Sequence, residues 1–122
     1  MRPRLAMFVD MLCVLVFVMV GRDTHDEGTF VVGTLATATP FLLGMLLTWL
    51  VLMSRWRDDL SVGFGAGVWV GTVVVGMLAR RFVFDDGTAA SFVVVATIFL
   101  GLTLVGWRLV ANALIRRRAA QA

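Results

Sequence analysis

Four long apolar runs, separated by short polar segments, constrain the fold of this 122-residue chain more than any other feature. The runs span about residues 5–20, 30–53, 60–79 and 89–115. About 20 apolar residues in a helix cross the ~30 Å hydrocarbon core of a bilayer. Backbone polar groups must be satisfied internally in lipid, and helices do this. The sequence therefore predicts an all-α, polytopic membrane protein. Residues 1–122 form one domain, a bundle of four transmembrane helices.

The charge of the chain fits the same class. Only 16% of the residues are charged, against about 25% in soluble domains. The net charge of +3 comes from eleven arginines and no lysine, and these arginines flank the apolar runs. The basic balance therefore reflects membrane topology rather than a nucleic-acid partner. The expected partner is the lipid bilayer.

The distribution of arginines predicts the orientation in the membrane. Cytoplasmic ends of transmembrane helices carry an excess of Lys and Arg. Both termini are therefore expected in the cytoplasm, in a multi-pass protein of the plasma membrane. The N-terminus, the middle loop and the C-terminal end hold eight arginines, and the other two loops hold three (Arg2, Arg4, Arg55, Arg57, Arg108, Arg116, Arg117 and Arg118 against Arg22, Arg80 and Arg81).

Two loops resemble each other. "DEGT" at residues 26–29 precedes the second run, and "DDGT" at residues 85–88 precedes the fourth, 59 residues later. Trp49 and Trp107 follow these loops at similar distances. One interpretation is a pair of helical hairpins that form parallel repeats, related by an axis along the membrane normal. The other is that acidic turns with Gly are common before helices.

The third run carries small residues at four-residue spacing. Gly63, Gly67 and Gly71 form two overlapping GxxxG units, which in an apolar span indicate a close helix–helix contact. The contact can lie within the bundle or between subunits of a homo-oligomer, and the pattern does not distinguish these.

Asp10 is the only acidic residue well inside an apolar run, about 16 Å from the outer end of the first helix. Such a carboxylate is expected to face the bundle interior, near the membrane midplane. Thr37 and Thr72 fall at similar depth. One interpretation of the three residues is a binding site for a proton or cation; the other is a hydrogen-bonded cluster that fixes helix register.

Trp107 and Arg108 lie near the inner end of the fourth run. Trp49 and Trp107 are expected at the cytoplasmic interface, where Trp is enriched. The Arg108 side chain is expected to extend into the headgroups. A pair between Arg108 and Asp10 is the alternative, and it requires the first helix to sit deeper than the fourth.

The outer loops hold Arg22, His25 and Arg80 beside five acidic residues. Acidic residues before helices cap free N–H groups, and arginines suit helix C-terminal ends, so capping and pairing explain them. A metal site centred on His25 is the alternative, but the spacing matches no closed Zn or Ca motif. No catalytic or nucleotide-binding motif is present. The sequence predicts no enzyme activity, no metal and no cofactor.

Seven short motifs, in order along nearly the whole chain, resemble a prokaryotic family of small four-span membrane proteins classed as a domain of unknown function. The resemblance implies an integral membrane protein and a role for these positions, and it implies no substrate. The arginine of the fifth motif corresponds to Arg80 or to its neighbour Arg81. The motifs are Asp10, "GRDTH" (21–25), "PFLLG" (40–44), "VWVGT" (68–72), "GMLAR" (76–80), "SFVVVA" (91–96) and "GWR" (106–108).

Two functions are consistent with these patterns. The first is a small proton- or cation-coupled transporter with a midplane site at Asp10. The second is a non-catalytic accessory or assembly subunit, which self-associates or packs on a membrane partner through its GxxxG face.

Overall fold

The computed structural model of the chain describes residues 3–21, 30–55, 58–83 and 90–121. It has four α-helices in these ranges and no strand. They are α1 (Pro3–Gly21), α2 (Phe30–Met53), α3 (Val62–Phe82) and α4 (Ala90–Gln121). The prediction of an all-α chain with four helices is confirmed.

The ends of α3 differ from the predicted limits of 60 and 79 for a local reason. Ser61 is the N-cap: its backbone is extended, and its hydroxyl accepts a hydrogen bond from the Phe64 N–H at 3.1 Å. This side-chain bond satisfies one of the free N–H groups of the first turn, so the helix begins at Val62. At the other end Arg80 and Arg81 belong to the last turn, where cations suit the helix dipole.

The last helix is longer than its apolar run. It was predicted to end at residue 115, yet α4 continues to Gln121. The added segment is Arg116, Arg117 and Arg118 followed by Ala and Gln, all strong helix formers, and it contains no Gly or Pro. Hydropathy marks where a helix can leave the lipid, whereas backbone propensity decides where it ends.

Each helix runs antiparallel to its neighbours, in the order of the chain. Phe17 of α1 contacts Phe41 of α2, whereas Asp10 bonds Trp49, so the residue numbers run in opposite directions. The α2–α3, α3–α4 and α1–α4 contacts show the same reversal of residue numbers. Because α1 also packs on α4, the four helices form a closed ring. The start of α1, the α2–α3 turn and the last turns of α4 therefore share one end, called here the turn end.

The outer surface of the bundle is apolar. Large side chains on all four helices are about half or more exposed, among them Leu12, Leu50, Val74 and Leu102. Inside, Phe17, Phe41, Phe92 and Phe99 stack in tilted and edge-on pairs with centroids 5.6–6.0 Å apart. An apolar surface around a packed core is what a lipid environment requires.

Three of the described helices are long and apolar enough to cross a membrane. They are the Leu35–Met53 part of α2, all of α3, and α4; the apolar part of α1, Leu5–Val20, is shorter.

Two of the three GxxxG residues of α3, Gly67 and Gly71, lie on the face that packs against α2. A Cβ on Gly67 would stand 2.9 Å from Leu52 Cδ1, and one on Gly71 would stand 2.8 Å from Thr48 Cβ. Both distances are too short for real contacts. A Cβ on Gly67 would require the end of the Leu52 side chain to move, whereas at Gly71 the short Thr48 side chain leaves no such freedom, so close approach there depends on glycine. Gly63, in the first turn, is exposed. Gly67 and Gly71 thus serve contact within the chain.

We expect Gly71→Ala to destabilise the bundle by about 1–3 kcal/mol, because the added methyl group overpacks the α2–α3 interface. The matched control is Gly106→Ala on α4, where a Cβ has no atom within 4 Å and only helix propensity changes. Unfolding of both variants in detergent micelles by a denaturing detergent measures the difference. Equal stability of the two variants would contradict the close-packed interface.

Candidate functional site

Asp10 of α1 and Arg108 of α4 form a buried ion pair. Nη1 of Arg108 donates to Oδ1 of Asp10, and Nη2 donates to Oδ2, each at 2.8 Å. Both side chains are 0% exposed. This two-point geometry matches the planar guanidinium fork to the carboxylate, and it is the strongest arrangement of these groups.

Two indole groups complete the hydrogen bonding of the Asp10 carboxylate. Trp107 Nε1 donates to Oδ1 at 2.8 Å, and Trp49 Nε1 donates to Oδ2 at 2.9 Å. Each oxygen therefore accepts two hydrogen bonds, one from arginine and one from tryptophan. A buried carboxylate needs such partners, because an unpaired one in hydrocarbon is expensive.

The Arg108 guanidinium has further partners on α4 and on the turn that precedes α3. Nη1 also donates to the Leu104 carbonyl at 3.0 Å, and Nε donates to the Asp59 carbonyl at 2.9 Å. The Phe64 and Trp107 rings lie 5.6 and 4.5 Å from its Cζ, within cation–π range. A Cβ on Gly65 would stand 2.6 Å from Arg108 Cδ, so this glycine makes room for the side chain.

The expectation that Arg108 extends into the headgroups is wrong, since its side chain is fully buried and points into the bundle. The reason is the direction of helical side chains, which lean toward the N-terminus of their own helix. Arg108 therefore reaches back by one turn to the Leu104 level. Asp10, on the antiparallel α1, leans the other way, so the two side chains meet without a displacement of whole helices.

The ion pair lies near the turn end of the bundle rather than at its middle, where the sequence placed Asp10. Arg108 bonds the Asp59 carbonyl before α3, and Trp49 is one turn from the end of α2 at Met53. Trp49 and Trp107 are near this end, and their N–H groups point inward to the carboxylate. Trp49 is 0% exposed.

The structure does not bring Thr37 and Thr72 to Asp10. Thr72 is seven residues beyond Gly65 on α3, about 10 Å along the helix, and Thr37 is twelve residues before Trp49, about 18 Å. Thr72 is buried, and its hydroxyl oxygen has no hydrogen-bond partner. No hydrogen bond links either threonine to the carboxylate.

Of the remaining predicted residues, the structure describes Arg80, which lies toward the other end of the bundle. Arg22 and His25 are outside the described residues, as are the acidic residues of the two outer loops. Arg80 places its guanidinium 4.5 Å from the centre of the Phe92 ring, a cation–π contact between α3 and α4. In the part of the chain that the structure describes, no group of three or more His, Cys, Asp or Glu side chains comes together to hold a metal ion.

Asp59 and Asn112 are the polar residues at this site that the sequence analysis did not select. Asn112 Nδ2 donates to the Leu60 carbonyl at 3.0 Å, beside the bond from Arg108 to Asp59. The two bonds attach the α2–α3 turn to α4, and we call them the turn latch. Asp59 is 6% exposed, and its Oδ2 has no hydrogen-bond partner. The sequence signal was available as "DD" in a short inner turn, but nothing in it indicated burial.

Residues 58 positions apart on α2 and α4 make matching contacts with α1. Trp49 and Trp107 donate to opposite oxygens of Asp10. Phe41 and Phe99 lie 5.6 and 5.7 Å from the Phe17 ring. This agreement is the pattern expected of two related hairpins, with an offset one residue shorter than that of the loops.

We expect Asp10→Asn and Arg108→Gln each to destabilise the bundle by about 3–5 kcal/mol, because each leaves one buried charge without its partner. The double variant should be more stable than the sum of the two losses predicts, since it leaves no unpaired charge. Unfolding in detergent micelles measures all three.

Arg118→Gln is the matched control, because that side chain is exposed on the same helix. It should change stability by less than about 0.5 kcal/mol. Additive losses in the double variant would show that the two side chains are not coupled.

The chain was compared with protein families, with curated proteins and with solved structures. The chain matches the family described as "Protein of unknown function (DUF3054)" over residues 7–111, which includes all of α2 and α3, most of α1 and α4, and both members of the ion pair. No curated protein matches it, and no solved structure does. The chain therefore belongs to the DUF3054 family.

Proposed function

We propose that this protein is a non-catalytic membrane subunit, a four-helix bundle that acts by association with lipid and with itself or a membrane partner. The observation that carries the proposal is the saturation of Asp10. Both carboxylate oxygens already accept two hydrogen bonds each. A cation could bind there only by displacing Arg108 or an indole, so the geometry favours a structural role for the pair.

The competing function is proton- or cation-coupled transport through Asp10. Ionisable groups inside membranes are often parts of such pathways, which is the general argument for it. Against it stand the bidentate partner and the separation of Thr37 and Thr72 from the carboxylate. The assembly face also differs from the sequence hypothesis: Gly67 and Gly71 pack on α2, so a partner would meet other surfaces.

Ion flux separates the two functions. Purified protein in liposomes that contain dyes sensitive to pH, Na⁺ or K⁺ should show no flux of these ions above that of protein-free vesicles. Flux that appears with the wild-type protein and disappears in Asp10→Asn, while Asp58→Asn keeps it, would establish transport instead. Asp58 is a suitable control because it is exposed in the turn beside the same site.

Assembly is tested on the protein extracted from its own membrane with a mild detergent. We expect a complex larger than one chain, either a homo-oligomer or a complex with a second membrane protein, by native mass spectrometry. A monodisperse single chain at native expression level would contradict the proposal.

We further propose that the turn end faces the cytoplasm of a plasma-membrane protein. Exposed Arg55 and the arginines at residues 116–118 are near this end, and the antiparallel ring puts the start of α1 there as well. An excess of arginine marks the cytoplasmic side. A reporter that is active only outside the cytoplasm, fused after Ala122, should be silent; activity would reverse the orientation.

A further inference from the structure

Asp59 is a buried carboxyl group whose hydrogen bonding is incomplete. It lies in the α2–α3 turn and is 6% exposed, and its Oδ2 has no hydrogen-bond partner. Its backbone carbonyl, by contrast, accepts the Nε bond from Arg108 at 2.9 Å. The residue is thus held against α4 by its main chain, while its side-chain Oδ2 forms no hydrogen bond. Burying an ionised carboxylate without full hydrogen bonding costs free energy, and burying the neutral acid costs less.

The charged groups that act on Asp59 are Arg108, Asp58, the N-terminal ammonium and Asp10. Arg108 of α4 is the nearby cation, but Asp10 of α1 already neutralises it through two bonds. Asp58 adds a second carboxylate in the turn. With Asp10 ionised, an ionised Asp59 would place two negative charges around one buried guanidinium.

The remaining donor of Arg108 faces the same turn. A guanidinium has five N–H groups, and four of them make the bonds described above. The fifth is on Nη2 and points along the same edge of the plane as Nε–H, which bonds the Asp59 carbonyl. An ionised Asp59 would bond a different N–H group than Asp10 does, but the two carboxylates would share the single positive charge of this guanidinium.

We propose that Asp59 is a proton-binding site: it is neutral while the turn latch is closed, and loss of its proton to water weakens both the latch and the Asp10–Arg108 pair. The ligand is a proton, and the site opens on the turn end of the bundle. This inference does not depend on whether the protein transports anything.

The electrostatics agree with the geometry. Burial raises the pKa of the Asp59 carboxyl above its ordinary 3.8, and the Asp58 and Asp10 carboxylates add to the rise. The Arg108 guanidinium and the N-terminal ammonium oppose it. For an acid whose pKa is raised by folding, the folded state holds its proton at a pH where the unfolded state has lost it. Stability therefore falls as pH rises from 3.8 through the folded pKa, and it is constant above that value.

The direct test is an infrared titration of the protein in lipid. The chain has eight Asp and Glu side chains, so the Asp59 signal is the difference between the wild-type protein and Asp59→Asn. In this difference, the carbonyl band of one protonated carboxylic acid should disappear with a midpoint above 3.8, and Asp58→Asn should retain this component. A difference without a carboxyl group that titrates above 3.8 would overturn the proposal.

The second measurement is the unfolding temperature as a function of pH. The wild-type value should fall as pH rises through the titration, whereas Asp59→Asn should stay level over this range and exceed the wild type at pH 7. Asp58→Asn should keep the fall in stability but move it to lower pH, because the Asp58 carboxylate no longer raises the pKa of Asp59. The turn itself should persist, since Asn can still accept the Leu60 N–H bond that Asp58 Oδ1 accepts. Parallel profiles for Asp59→Asn and the wild type would show that Asp59 has no part in the pH response.

Discussion

The bidentate ion pair between Asp10 and Arg108 is the interaction on which the rest of the bundle depends. It joins the first helix to the last, and its partners add Trp49 from α2 and Asp59 from the turn before α3. Neither charge is tolerated in hydrocarbon without the other. Because the guanidinium fork fits the carboxylate in only a few positions, the pair fixes the register of the helices around it.

This dependence has a reason in the packing. In lipid, apolar side chains gain little by leaving the solvent, so helices associate through close approach and polar bonds. Glycines allow close approach between α2 and α3, which form the most extensive interface, whereas the α1–α4 interface is the least extensive. The strong ionic contact lies where apolar packing is thinnest.

The aromatic contacts of α2 and α4 with α1 repeat at a 58-residue offset, but the charged residues do not. Trp49 and Trp107 flank Asp10, and Phe41 and Phe99 flank Phe17. By the same 58-residue offset the counterpart of Asp10 is Val68, which is buried, and that of Arg108 is Leu50, which is exposed. The ion pair therefore has no counterpart at the positions 58 residues away, and the proposed proton site at Asp59 lies beside the ion pair.

The sequence by itself determined the class of structure and the helices. The length of the apolar runs and their scarcity of charges predicted four helices, because backbone N–H and C=O groups in lipid must form hydrogen bonds with each other within each helix. It also identified Asp10 as the residue that must face inward, since the cost of a carboxylate in hydrocarbon does not depend on its neighbours.

Only the tertiary structure decided which groups meet that carboxylate. Counting residues along separate helices placed Thr37 and Thr72 at the depth of Asp10. The same counting placed the Arg108 side chain in the headgroups. The estimate failed because depth along a helix says nothing about side-chain direction, and in antiparallel helices Arg108 and Asp10 lean toward each other. The burial of Asp59 was likewise hidden, because it depends on two hydrogen bonds from a helix about fifty residues away in sequence. Local sequence determines which side chains each helix must bury. Contacts between segments distant in sequence decide which partner each buried side chain meets.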